Sequence, residues 1–208
     1  MASGLEENDV RYATGLVATD PFCLLVADSR LHLLVSALEA SRAQKTCPEA
    51  VLHTPAQLFG DPVPRRRPMS DQIFVLLKNL GFSTVQVGPF FPVGLVRALE
   101  GKGVSVQLAD SPAFPQRAVK TAKEVDCIAK SQRAAVAAMR AAVNCIREAT
   151  VSPSGVLKTN GKRLTSEFLK DLIERTLLER RCSADGTIVA VGPQGARPHD
   201  VGSGPLRA

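Results

Sequence analysis

The stretch AVKTAKEVDCIAKSQRAAVAAMRAAVNCIREA, residues 118–149, decides how the rest of the chain is read. It holds no Gly or Pro and is rich in Ala, Lys, Arg, Glu and Met, the residues that lose least on entering a helix. Val125, Ile128, Ala129, Val136, Met139, Val143 and Ile146 recur in steps of three, four and seven and predict one apolar face. Lys123, Glu124, Lys130, Arg133, Arg140 and Arg147 fall largely elsewhere and are expected to meet water. Pro115 and Pro153 bracket the run. A rod of about 45 Å follows from ~1.5 Å per residue. Its apolar face needs a cover, so the sequence divides into a domain before it, 1–115, and the start of another, 116–208.

Working toward the N-terminus, PFCLLVADSRLHLLVS has two apolar runs, 22–26 and 31–35, parted by Asp28-Ser29-Arg30. That pattern predicts a β-hairpin. His32 alternates with Leu31 and Leu33 and reads as a surface or internally satisfied histidine. Asn8–Gly15 reads as a short extended piece ending in a Gly turn. Leu38–Gln44 predicts a short helix, and 51–59 a strand and a helical turn. Ser70-Asp71 offers a cap to QIFVLLKNLG, with Gly81 placed to end that helix. Thr84–Val87 reads as a short buried strand, 91–100 as a helix and 104–108 as a further strand. Alternating helices and strands predict a small α/β domain with a mixed sheet and no acidic or histidine cluster at its strand ends.

Toward the C-terminus, 151–163 reads as a polar connector. Thr165 is a predicted cap for a helix running to about Arg181, with Phe168, Leu172, Ile173 and Leu177 inside. Thr187–Val191 is a predicted β-branched strand, followed by the Gly- and Pro-rich GPQGARPHDVGSGPL.

Bulk numbers exclude several classes. The 208 residues are 45% hydrophobic and 22% charged, as in an ordinary globular protein. The net charge of +6 is modest, and Arg65-Arg66-Arg67 between prolines reads as a solvated loop before it reads as an anion patch. One Tyr and no Trp leave little to stack bases, so no nucleic-acid partner is expected. No window approaches the roughly eighteen apolar residues of a membrane span, and the N-terminus carries no apolar leader, so the expectation is a cytoplasmic protein that does not engage a membrane. Five cysteines form no C-x-x-C pair. Cys127 and Cys145 lie about 27 Å apart along a helix, too far to bridge, and free thiols in a reducing compartment follow.

Motif searching removes more. GxSxG, the P-loop and HExxH are absent, and the histidines at 32, 53 and 199 are scattered. Gly101-Lys102-Gly103 and Gly202-Ser203-Gly204 are too short for phosphate cradles and read as turns, and Glu6-Glu7 reads as solvated. The stretch with chemistry is 187–205, where a strand ends in a Gly-rich bend presenting Pro198-His199-Asp200. Glycine allows close backbone approach, and histidine can trade a proton near neutral pH.

TIVAVGPQGARPHDVGSGPL resembles a segment of the pita-bread metallopeptidases, the family of aminopeptidase P, prolidase and creatinase: a strand, a Gly turn with an Ala, then a Pro-His pair. KTAKEVDCIAKSQRAAVAAM resembles that family's first long helix, and LTSEFLKDLIERTLLERRCSADG its second. NDVRYATG and LLVADSRLHLLVSALEASRA resemble its N-terminal domain. The resemblance implies a creatinase/prolidase-type α/β domain followed by the first part of a pita-bread domain, in an Xaa-Pro aminopeptidase or dipeptidase acting on proline-containing peptides, commonly as a homodimer. It implies that His199 binds the substrate or the reaction intermediate. It implies two divalent ions, Mn, Co or Zn, held by two Asp, one His and two Glu beyond the Pro-His pair. The sequence stops at Ala208 before any of these, so no metal ligand is assigned within it and residues 1–208 alone are expected not to cleave peptides. Two explanations are open: a piece of a longer enzyme, or a short protein that lost catalysis and covers its open half with a partner. A non-catalytic binding or dimerisation module and a creatinase-like amidinohydrolase are the alternatives of function.

Overall fold

The computed structural model describes residues 8–61, 63, 67–110 and 113–208, as two compact units, Met1–Val119 and Lys120–Ala208. Glu6-Glu7 and Arg65-Arg66 lie outside the described residues.

The first unit opens with helix α1 (Asn8–Thr14), a correction to the expected extended piece. Val10 and Thr14, one turn apart, are both buried, and the Thr14 hydroxyl donates to the Val10 carbonyl at 2.8 Å. Seven residues are too few for apolar periodicity to declare itself, so the polar letters dominated the expectation. The hairpin is as expected: β1 (Cys23–Ala27) pairs antiparallel with β2 (Arg30–Leu34), Cys23 opposite Leu34. Asp28 and Ser29 both have positive φ, the twist a two-residue hairpin turn requires. Helix α2 (Ala37–Thr46) carries the chain back so that β3 (Val51–His53) lies parallel to β2.

Alternation along this three-stranded sheet builds two apolar layers. Leu33, Val35 and Phe22 pack with Val10 and Ala43, while Cys23 and Leu34 pack with Ile73, Leu76, Leu77 and Leu99. The second layer comes from α4 (Met69–Asn79), which follows α3 (Pro55–Phe59), and from α5 (Val93–Glu100). Helix α4 starts after Pro68 with no side-chain cap, so Ser70-Asp71 is not its cap. Proline supplies the fixed φ there, and Asp71 instead meets Lys102 at 2.8 Å. At the other end the Phe82 N–H reaches the Leu77 carbonyl, closing a Schellman turn over Gly81.

Strands β4 (Thr84–Val87) and β5 (Ser105–Leu108) pair in parallel on either side of α5. They form their own two-stranded sheet, which corrects the expectation of one mixed sheet. β4 is also half-exposed rather than buried, because Thr84 and Gln86 put polar side chains on its open face.

The same alternation sets His32 and His53 side by side. Their rings stack, with Nδ1 of His32 and Nε2 of His53 3.0 Å apart, so His32 is a buried histidine satisfied by its neighbour. Burial first, then the His32 ring, holds His53 below the usual value of 6.5. A histidine whose folded pKa is depressed contributes stability that is complete above the unfolded value and lost as pH falls through the folded one. The urea midpoint of the first unit is therefore expected to fall between about pH 7.5 and about pH 5.5, and His53→Gln to flatten that slope. An unchanged slope in the variant would detach the pair from the titration.

The second unit is built on α6 (Ala122–Arg147), 26 residues and about 39 Å long. It starts at a capping box that T-A-K-E spells out: Thr121 accepts from the Glu124 N–H, and the Glu124 carboxylate accepts from the Thr121 N–H at 2.8 Å. Helix α7 (Ser166–Leu178) packs against it, capped by Thr165 as expected. The interior face of α6 differs from the expectation. Ala134, Ala138 and Ala142 are buried, whereas Val125, Ile128, Val136 and Met139 are about half or more exposed, Met139 at 62%. Hydrophobicity ranks Val and Met above Ala, but small side chains let two helix axes approach closely, and the alanine stripe wins the contact with α7. On α7, Leu169 is buried and Phe168, one residue away on the turn, faces outward. Ala138→Leu should therefore cost about 1–3 kcal/mol by overpacking. Met139→Gln should shift stability by no more than about 0.5 kcal/mol. Paired thermal melts test this, and the reverse order would restore the large apolar residues to the interior.

The predicted connector 151–163 is a three-stranded antiparallel meander of β6 (Thr150–Val151), β7 (Leu157–Thr159) and β8 (Lys162–Arg163), corrected by the Asn160-Gly161 turn between the last two. Leu157, Leu164, Leu169 and Leu206 close a core with Ala142. No helix among the described residues is long and apolar enough to cross a membrane.

Candidate functional site

The last twenty residues are held by backbone, amide and side-chain hydrogen bonds. The final segment runs beside β7 and the start of α7: the Leu206 N–H donates to the Leu164 carbonyl, the Leu157 N–H to the Leu206 carbonyl and the Ser166 N–H to the Gly204 carbonyl, each at 2.9 Å. Leu206 is buried, which pins the end of the Gly-rich bend.

Residues 187–191 form no strand, a correction to the predicted β-branched strand. Among the described residues no neighbouring strand offers a ladder, and the pairing is a single bond from the Val189 N–H to the Val201 carbonyl at 3.2 Å. A 3-10 turn over Gly192–Ala196 follows. Gln194 on it acts as a surrogate strand, its amide giving to the Ser203 carbonyl and receiving from the Ser203 N–H, both at 3.2 Å. Lys170 of α7 donates to the Gly202 carbonyl at 2.7 Å, and the Gly202 N–H is taken by Asp200 Oδ1 at 3.0 Å.

The Gly202-Ser203-Gly204 turn carries a carboxylate where a phosphate cradle would need an open nest: Glu167 accepts the Gly204 N–H at 3.0 Å. That bond is the main cause holding Glu167 below the usual carboxylate range, with its own N–H and the Thr165 hydroxyl behind it.

His199 sits at the tip of this framework, exposed, with φ at +69°. Left-handed backbone is sparse for any residue with a β-carbon, although histidine is among those enriched there. Asp200 closes the turn, its N–H on the Arg197 carbonyl and its carboxylate 3.8 Å from the Arg197 guanidinium. The imidazole makes no hydrogen bond among the described residues. The arrangement can present a ring that donates or accepts one hydrogen bond from a stiff loop. His32 and His53 belong to the first unit's sheet, whereas His199 belongs to the second unit. Among the described residues no three His, Cys, Asp or Glu side chains gather so as to hold a metal ion, so the residues present do not fit a dinuclear centre. All five cysteines are free, and burial pushes the Cys23 thiol up to about 11, far from nucleophilic use. Of the Arg65-Arg66-Arg67 run, Arg67 is described, and its guanidinium lies 5.2 Å over the Phe59 ring. Sequence reasoning missed the roles of Gln194 and Lys170, which carry no motif and act through the backbone of residues nine and 32 positions away.

No model of a known protein family matches the chain, and a search of curated proteins finds no match. Solved structures do match. An Xaa-Pro dipeptidase from Bacillus anthracis superposes with a TM-score of 0.72 at 14% identity, over 97% of this chain and 51% of that one. A prolidase from Pyrococcus furiosus gives 0.70 at 20% identity, over 96% and 52%. An X-Pro aminopeptidase from Thermotoga maritima gives 0.61 at 13%, over 86% and 44%. The chain thus has the α/β fold of the N-terminal regions of these proteins and spans about half their length.

Proposed function

We propose that residues 1–208 form the N-terminal half of a metal-dependent Xaa-Pro peptidase, an aminopeptidase or a dipeptidase. The observation that supports this is the fold shared with an Xaa-Pro dipeptidase over 97% of the chain, in the same order as the four motif resemblances. In this reading 1–115 is the creatinase/prolidase-type N-terminal domain and 116–208 the opening of a pita-bread domain. The substrate is a peptide with proline in second place. His199 holds the scissile carbonyl or the tetrahedral species by a hydrogen bond, a role in which a positioned donor is worth most as charge develops. Two divalent ions, Mn, Co or Zn, would supply the hydrolytic water in the longer protein, held by residues outside 1–208. A cytoplasmic homodimer completes the reading.

The test has two parts. Residues 1–208, dialysed against Mn, Co or Zn, should retain no stoichiometric metal by mass spectrometry and release no proline from an Xaa-Pro dipeptide. The reading frame past codon 208 should encode an Asp-bearing strand, a second Asp, a His and two Glu. Tight metal on 1–208 would overturn the assignment of ligands to the other half, and a frame with none of those residues would overturn the peptidase. That second outcome would favour a non-catalytic binding or dimerisation module on the same fold, a reading to which the open Val125, Ile128 and Met139 side chains of α6 also speak.

A further inference from the structure

Beyond the face that meets α7, helix α6 carries a second surface that no part of the peptidase reading uses. An open groove with a volume of about 680 Å³ runs along it, rimmed by Arg133, Arg140 and Arg180 and floored by Ala137 and Ala141. We propose that this groove is a docking site for an acidic helical segment of a partner protein, independently of whether the chain belongs to a peptidase.

Charge complementarity carries the argument. Three arginines line the groove, and no carboxylate does. Arg180 is engaged, donating to the Thr176 carbonyl at 2.9 Å with Glu179 3.8 Å away. Arg133 and Arg140 are exposed and make no hydrogen bond or ion pair among the described residues. Like charges gathered on one helix face are mildly destabilising, so the chain gains nothing from them in isolation. Seven residues separate Arg133 from Arg140, which places them about 10.5 Å apart along the axis. Carboxylates two turns apart on a partner helix have the same spacing, and each guanidinium can take one carboxylate with two parallel bonds. The alanine floor lets a second helix settle between the arginines, and Val136, 46% exposed at the edge, offers it an apolar contact. Nucleic acid fits less well, because the groove has no aromatic ring on which a base could stack.

The probe is a fluorescein-labelled peptide of fourteen residues made of Ala, Leu and Glu, with Glu at two positions seven apart, titrated by anisotropy with residues 1–208. The double variant Arg133→Ala, Arg140→Ala should weaken binding by about fivefold to tenfold. Arg30→Ala with Lys45→Ala, which removes the same charge from the first unit, should change it by less than about twofold. Circular dichroism should show both variants equally helical. Equal weakening in the two variants would reduce the effect to net charge and overturn the proposal. So would tighter binding of an oligouridine of matched charge or of phosphatidylserine vesicles. Concentration-dependent self-association that the groove variant abolishes would make a second copy the occupant and overturn it as well.

Discussion

Gly202→Ala is expected to lower the stability of the Lys120–Ala208 unit by at least about 3 kcal/mol, at the upper end of what one substitution does. Two costs coincide there. Gly202 has φ at +74°, where a β-carbon is strained. The added carbon would also land inside the Val189 carbonyl and 2.6 Å from Cα of Ala190. Those are backbone atoms, so no side-chain rotation relieves the collision. Either the 187–191 segment lifts away, which releases the Val189–Val201 bond, or the loop reverses, which also releases the Lys170 bond to the Gly202 carbonyl. Gly204→Ala is the control. It shares a positive φ, +81°, but a β-carbon there meets nothing within 4 Å. Strain alone should then cost about 1–2 kcal/mol. Thermal melts followed by circular dichroism separate the two, and proteolysis within 187–203 should accelerate in the Gly202 variant alone. Matching small shifts in both variants would mean that the close crossing of the two segments does not exist in solution.

What the sequence made legible follows from how local each signal is. Asp28-Ser29 between alternating runs announces its own hairpin, and Thr165 announces its cap, because both act within three or four residues. Asn160-Gly161 is an equally local hairpin signal, but the strands it joins are two or three residues long and polar, so composition masked it. The inner face of α6 was illegible for a different reason. Periodicity finds where large apolar residues lie, and what decides burial here is how closely α7 can approach, which favours Ala134, Ala138 and Ala142. Thr187–Val191 shows the limit of β propensity: β-branched residues keep a chain extended, yet a strand exists only where a neighbour completes its ladder. At the candidate site His199 is proposed through resemblance alone. Its left-handed backbone, the Gln194 clamp on Ser203 and the collision guarded by Gly202 depend on residues distant in sequence and left no trace in it.

That left-handed backbone makes His199 open to a substitution that separates structure from chemistry. In residues 1–208, His199→Gly should leave the melting temperature unchanged or slightly raised. Releasing a β-carbon from φ +69° recovers about 1–2 kcal/mol, and the extra freedom of glycine in the unfolded chain takes back roughly 0.5–1 kcal/mol. The imidazole is exposed and makes no hydrogen bond among the described residues, so its removal costs little. Strained backbone of this kind clusters at functional sites, which is the ground for testing His199 there. On the proposed peptidase reading, the same substitution in the longer protein should lower kcat by about a hundredfold to a thousandfold, the loss seen when one donor to a developing oxyanion is removed. His199→Ala, which keeps the strain and loses the ring, should lower kcat equally, and metal content should hold in both. A parallel loss of metal would move His199 from the substrate to the support of the ions. An unchanged kcat with the expected gain in stability would leave the strained turn without a catalytic purpose and remove His199 from the site.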